Sequence, residues 1–282
     1  FIEKANNAQK IYLKYKIESE IKEFDRIKNI FKDVDLDYVT DDQNGKNLIF
    51  IVGLPRSGTT LTHQIIGAHN DTYGAGELSL LSRFLQNKLH NDKFIENFFS
   101  NNKIKFETTK EIARGYIGQL QKYYNSEKII IDKSPLNFRW IGFIKILFPK
   151  SKVILCTRNI KDNLLSIYKN VFDGGAIPWS YNLDDLAKFN YLYNDLIDFW
   201  QKKIPKFIYK SSYEMLVKDQ ENQSKKLVDF CGLDWDPSCL SYHKENNAIK
   251  TVSIAQARKP IYNTSIDSNE KFPKLAEFFN SL

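Results

Sequence analysis

The chain has 282 residues, of which 42% are hydrophobic, with a formal charge of +7 at pH 7 and an isoelectric point near 9.0. That is enough apolar material for a large core in one domain with additions, whereas every apolar run is too short to span a bilayer and no cleavable leader is visible. The positive balance favours anionic partners, a phosphorylated cofactor or an acidic acceptor, while the scatter of basic residues away from aromatics speaks against nucleic acid.

In residues 1 to about 40, Ile17, Ile21, Phe24, Ile27 and Phe31 mark one apolar face of a helix or helix pair that is otherwise rich in Lys and Glu. This segment reads either as the end of a lost helical domain or as a brace against the core. With Phe1 at the start and Met215 the only methionine, the chain reads as part of a longer protein whose targeting signals would lie elsewhere. The turn cluster Asp41–Lys46 sets a boundary between residues 1–44 and 45–282.

Strands and helices are then expected to alternate. A strand over 48–53 leads to a helix over 58–68 carrying Leu61, Ile65 and Ala68, followed by a polar and helical region to about 125 that includes a helix over 77–90. Ile129-Ile130-Ile131 is a second strand, and Trp140, Phe143, Ile144 and Leu147 mark a helix face at i, i+3, i+4, i+7 spacing. A third strand over 153–156 precedes a helix with Leu164, Leu165, Tyr168 and Phe172. A long helix over 183–203, a strand over 207–209 and a helix over 221–231 follow, and an irregular tail ends in a short helix over 273–281. The alternation implies right-handed βαβ units: an α/β fold of P-loop type, three layers α/β/α around a mostly parallel sheet, plus the N-terminal helical segment.

The junction after the first strand is the most specific local signal. Gly53 and Gly58 occupy the outer frame of the phosphate-binding pattern GxxxxGK[ST], and Thr59 stands where that pattern has its lysine. A strand, a glycine loop and a helix start aim backbone N–H groups at an anion. A cradle without the lysine that reaches the outer phosphates of a nucleoside triphosphate suits a single phosphate or a phosphosulfate. A plain strand-to-helix turn would not need an Arg, a Ser and two Thr at one helix start. In a parallel sheet, ligands lie beyond the carboxyl ends of the strands. That rule selects Arg56 to Thr60, Lys133 and Arg158, a cation after each strand, as expected for one doubly anionic ligand.

Together these segments resemble the sulfotransferases that use 3′-phosphoadenosine-5′-phosphosulfate (PAPS), especially the tyrosylprotein sulfotransferase branch and its bacterial relatives. Pro55–Thr60 is similar to the family's 5′-phosphosulfate loop, and Ala68–Asp71 followed by Gly76 and Glu77 to the stretch supplying the catalytic glutamate. Asp132–Pro135 resembles the lysine-containing segment, and Arg158 with Ser166 the 3′-phosphate pair. Ser253–Pro260 resembles, more weakly, a C-terminal loop closing over the cofactor. The resemblance implies that Ser57, Gly58, Thr59 and Thr60 hold the 5′-phosphate, that Arg56 and Lys133 stabilise the leaving oxygen, and that Arg158 and Ser166 grip the 3′-phosphate. It further implies Tyr213 and Ser253 as cofactor contacts and Glu77 as general base. No metal is required, and the acceptor is a hydroxyl of a protein tyrosine, glycan or small molecule. Where bacterial relatives carry an aromatic after the C-terminal loop this chain has Ser268-Asn269-Glu270, with Lys271 as a candidate replacement contact.

His63 and His69 are competing bases, His69 with a capping role at a helix end. Trp179, Tyr181 and Trp200 are as suited to the core as to an acceptor platform. Two other functions are open: a P-loop kinase or NTPase, for which Asp132 would hold Mg²⁺, and a non-catalytic nucleotide-binding module. Cys156, Cys231 and Cys239 lack metal-ligand spacing, which with their number favours a reduced, cytoplasmic protein.

Overall fold

A computed structural model describes residues 1–36, 45–85, 88–100, 103–122, 128–172, 175–244 and 266–280. At its centre are β1 (Leu48–Gly53), β2 (Thr72–Gly76), β5 (Ile129–Lys133), β6 (Lys152–Thr157) and β7 (Ile208–Ser212). They form one parallel sheet in the order β2-β5-β1-β6-β7, and β3 (Phe99–Ser100) and β4 (Lys103–Ile104) make a separate small hairpin. The chain moves to one side of β1 for β2 and β5 and to the other for β6 and β7. The crevice at the carboxyl end of β1 is therefore the switch point where ligands of such sheets bind.

β1 is buried along its whole length, as a central strand covered on both faces must be. Its alternate residues feed two cores. Leu48, Phe50 and Val52 join the larger, with Phe143, Phe148 and Trp200, whereas Ile49 and Ile51 join the smaller, with Ile65, Ile66, Leu227 and Val228. Helices on both faces complete the three layers.

The N-terminal segment is a helix pair, α1 (Ile2–Leu13) and α2 (Glu18–Phe31). The expected apolar face of α2 is in place: Phe24 packs edge-on to Phe189 at 5.6 Å, and Phe31 on Phe143 at 4.9 Å and on Trp200 at 5.1 Å. Ile17, Phe24, Ile27 and Phe31 thereby belong to the main core. α1 contributes instead a buried Asn6, whose Nδ2 donates to the Tyr168 carbonyl at 2.8 Å.

Several expectations are corrected. In place of one helix over 77–90, α3 (Thr59–Gly67) is followed by the strand β2, a loop carrying Glu77, and the short helix α4 (Leu80–Leu85). β2, Thr-Tyr-Gly-Ala-Gly, has no apolar run, and it is held as an edge strand by its ladder with β5. Helix α8 (Ile160–Tyr168) ends before Phe172. Trp179, Tyr181 and Trp200 are buried core residues, which excludes them as an acceptor platform. No helix among the described residues is long and apolar enough to cross a membrane.

Candidate active site

The loop after β1 is shaped by glycine chemistry. At Gly53, φ is +146° and a Cβ would come within 2.5 Å of the Cys156 carbonyl oxygen. At Gly58, φ is +99° and a Cβ would meet the Tyr213 ring at 2.9 Å. Arg56 itself has a left-handed φ of 67°, a conformation that aims successive N–H groups into one concavity. Helix α3 starts at Gly58 with no side-chain cap, so its positive end faces the concavity. Thr59 and Thr60 are buried there, and the buried Ser57 Oγ has no hydrogen-bond partner among the described residues.

Beside the loop, Arg56 Nε donates to Ser166 Oγ at 3.1 Å, and Arg158 Nη1 donates to the Arg56 carbonyl at 3.1 Å. The Arg158 guanidinium stacks on Tyr213, 4.7 Å from the ring centre. Arg56, the loop, Arg158, Ser166 and Tyr213 are thus brought together. Burial, then the charges of Arg158 and Arg56 and more weakly Lys271, push the Lys169 ammonium below its ordinary pKa. Lys169 therefore belongs to the same positive cluster. Its signal in the sequence was its place three residues after Ser166, one helical turn along α8. Lys271 reaches the cluster because buried Asp162 accepts from the backbone N–H of Asp267 at 2.7 Å and of Asn269 at 2.8 Å. Ser253 and the loop Ser253–Pro260 lie outside the described residues.

At the carboxyl end of β5, Lys133 is 2% exposed and its ammonium is ion-paired to the half-exposed Glu77 carboxylate. The two residues are 56 positions apart in sequence and meet because β2 and β5 are neighbours. The adjacent Asp132, buried, accepts from Tyr116 Oη at 2.6 Å and from Ser134 Oγ at 2.7 Å, so both of its oxygens serve the fold. That arrangement leaves the Mg²⁺ reading of Asp132 without support.

The histidines occupy different positions from Glu77. His63 is buried in α3 against Gly74, and burial together with the charge of Lys133 pushes its pKa down to about 3. His69 Nε2 donates to the Asp234 carbonyl at 2.8 Å while Nδ1 accepts from the Asp71 N–H at 3.0 Å, so it ties the α3–β2 turn to a distant loop. Glu77 also lines a cavity of about 540 Å³, together with Ser134 to Leu136.

Comparison with known proteins now bears on this geometry. A sequence model described as the Sulfotransferase family matches residues 48–237, well over half of the chain. An uncharacterised protein of Aquifex aeolicus is 33% identical over 243 residues, covering 81% of this chain and 31% of its own. A putative protein-tyrosine sulfotransferase of Caenorhabditis briggsae is 26% identical over 202 residues, 71% of each chain. This chain therefore spans less than a third of the Aquifex relative. Among solved structures, the sulfotransferase domain of the Synechococcus PCC 7002 olefin synthase superposes with a TM-score of 0.58 at 20% identity, over 86% of this chain and 97% of that domain. A mouse sulfotransferase complexed with PAP gives 0.50 at 17% identity, over 89% and 87%. At these identities the solved structures speak for the fold, and the family match, read with the loop and strand ends above, settles the family: the chain belongs to the Sulfotransferase family.

Proposed function

We propose that this protein transfers the sulfuryl group of PAPS to an acceptor hydroxyl, with residues 45–282 as the sulfotransferase domain and residues 1–44 as an N-terminal segment whose helix α2 packs on it. The observation that carries this reading is the loop from Gly53 to Gly58. It keeps an uncapped helix start and a buried, unpartnered Ser57 hydroxyl, and it lacks the lysine of a triphosphate site. The mouse neighbour complexed with PAP supports the cofactor.

In this reading Ser57 Oγ, Thr59, Thr60 and the backbone N–H groups from Gly58 onward hold the 5′-phosphate. Arg158 and Ser166, with Lys169 and Lys271 in the same field, hold the 3′-phosphate. Tyr213 backs the Arg158 guanidinium, and Ser253 adds a further contact. When bound, PAPS supplies the sulfuryl group and a phosphate oxygen on which negative charge builds as the bond to sulfur breaks. Arg56 and Lys133 set two cations where that charge develops, and their positioning is the main source of rate. The Glu77 carboxylate takes the acceptor's proton. In the structure its partner is Lys133, so a lysine drawn toward an anion at the loop leaves Glu77 free to accept that proton. The three buried, free cysteines suit a reducing compartment, and on that ground we assign the protein to the cytoplasm.

Calorimetric titration with adenosine-3′,5′-bisphosphate, run beside ATP·Mg²⁺, tests the reading. Binding on the order of micromolar for the bisphosphate is expected, with none for ATP. Binding of ATP in preference would overturn it and make Thr59 part of an unusual triphosphate loop. Bisphosphate binding without sulfuryl transfer to any hydroxyl would leave a nucleotide-binding module.

A further inference from the structure

The cavity beside Glu77, about 540 Å³, is of the size that takes a small molecule or one residue of a polymer. Glu77 is the residue it shares with the proposed chemistry, and none of Ser57 to Thr60, Arg158, Ser166 or Tyr213 lines it. One wall comes from the junction of α1 and α2, through Tyr15 in the turn and Ser19 and Glu20 in the first turn of α2. These lie outside residues 48–237, the stretch common to the family.

The charges in the wall are balanced: Glu20 and Glu77 against Arg83 and Arg139. Both arginines already serve the protein. Arg139 Nη1 donates to Glu23 at 2.9 Å and Nη2 to Glu20 at 2.8 Å, while Arg83 Nη2 donates to the Leu78 carbonyl at 3.1 Å. A peptide carrying several carboxylates finds no positive surplus here. A phenol ring would be gripped between two flat apolar walls, but of the two aromatic lining residues Tyr15 alone offers a ring: Trp140, 1% exposed, shows no open face, and its indole N–H donates to Ser82 Oγ at 3.1 Å. Hydroxyl oxygens take the place of both features: Ser19, Ser79, Ser82 and Ser134 line the cavity, and because the protons of Ser19, Ser82 and Ser134 go to protein acceptors these oxygens meet a ligand as acceptors, with Leu136 and Pro178 offering small apolar faces.

We propose that the acceptor is an uncharged, hydroxyl-rich molecule of carbohydrate type, seated in this cavity with the α1–α2 junction as its outer wall. The inference rests on the sulfotransferase reading above. The transfer forms an O–S bond at a sugar hydroxyl and breaks the S–O bond to the 5′-phosphate, which keeps the electron pair; the hydroxyl proton goes to Glu77.

The test uses protein saturated with adenosine-3′,5′-bisphosphate for binding and protein free of it for transfer. Maltotriose, cellotriose and chitotriose are titrated calorimetrically, and sulfuryl transfer from PAPS to them is compared with transfer to a tyrosine peptide flanked by glutamates. At least one sugar is expected to bind and to be sulfated with a kcat/KM at least about tenfold above the peptide. Ser19→Trp, a change at an exposed position, is expected to weaken sugar binding by about tenfold or more while bisphosphate affinity changes less than about twofold. Preference for the peptide, or no sugar binding by protein that still binds the bisphosphate, overturns the acceptor class and leaves the proposed function standing. Unchanged sugar binding in Ser19→Trp removes the α1–α2 junction from the site. Failure of the parent protein to bind the bisphosphate removes the proposed function and this inference with it.

Discussion

The carboxyl edge of the sheet is built in two ways. Around β1 and β6 the polar groups come from two short stretches, Arg56 to Thr60 and Arg158 to Lys169, joined by direct bonds such as Arg56 to Ser166. Around β2 and β5 they come from many places: Glu77 from the loop after β2, Lys133 from β5, Arg139 from the turn before the helix Ile141–Leu147, Tyr15 from the turn between α1 and α2, and Glu20 from α2. The difference follows from the ligand. A phosphate is held by consecutive N–H groups and a helix start, which a contiguous segment supplies. An acceptor pocket needs shape, which distant segments supply by packing.

Glu77 joins the cavity of the assembled region to the proposed chemistry, so its removal breaks the comparison most directly. Glu77→Gln should lower kcat by about 10² to 10⁴ with bisphosphate affinity within about twofold, measured by radiolabelled sulfuryl transfer and calorimetry. A variant with normal turnover would move the base elsewhere and detach the cavity from the chemistry.

Arg139 tests the assembled side alone. It sits between Glu20 and Glu23, with side chains 8%, 13% and 11% exposed. Burial outweighs the arginine at Glu20 and raises that carboxyl above its usual range, so the cluster is no large net gain in stability. Removing the cation is nevertheless costly, because two buried carboxylates are stranded. Arg139→Met should lose about 3 to 5 kcal/mol in urea denaturation, and adding Glu20→Gln and Glu23→Gln should restore much of it. A loss below about 1 kcal/mol would mean that the wall is not held by this cluster.

Arg158 tests the contiguous side. Arg158→Ala should weaken adenosine-3′,5′-bisphosphate by about 10- to 100-fold and 5′-AMP by less than about threefold. Equal losses for the two ligands would take Arg158 away from the 3′-phosphate.

The same division explains what could be read from the sequence. β1 and β6 are near-continuous apolar runs and the loop between Gly53 and Gly58 is contiguous, so the sheet centre and the anion cradle were legible from local pattern. β2 was not. Its five residues include two glycines, only Thr72 is buried, and its pairing comes from the β5 backbone, which no side-chain periodicity records. The resemblance to a known family placed Glu77 and Lys133 near the chemistry, whereas their ion pair depends on that unseen strand. The cavity wall from Tyr15 and the start of α2 was invisible for the same reason: an apolar stripe on α2 says that the helix packs, without saying against what.

His63 lies in α3, within the field of Lys133, and near neutral pH gives the smallest expected effect. An imidazole whose pKa is about 3 when folded and about 6.5 when unfolded resists protonation only in the native state. As pH falls from about 6.5 toward 3 the unfolded chain binds a proton that the folded chain does not, and stability is lost at about 1.4 kcal/mol per unit. His63→Gln should remove that share of the slope, so the difference in urea midpoint between variant and parent should change steadily across the window and stay flat above about pH 7. The pH dependence of turnover near neutrality should be the same in both. A variant whose midpoint tracked the parent's at every pH would show an imidazole open to water. Joined to an altered turnover profile, that result would hand His63 the role assigned to Glu77 and move the reacting centre toward the loop.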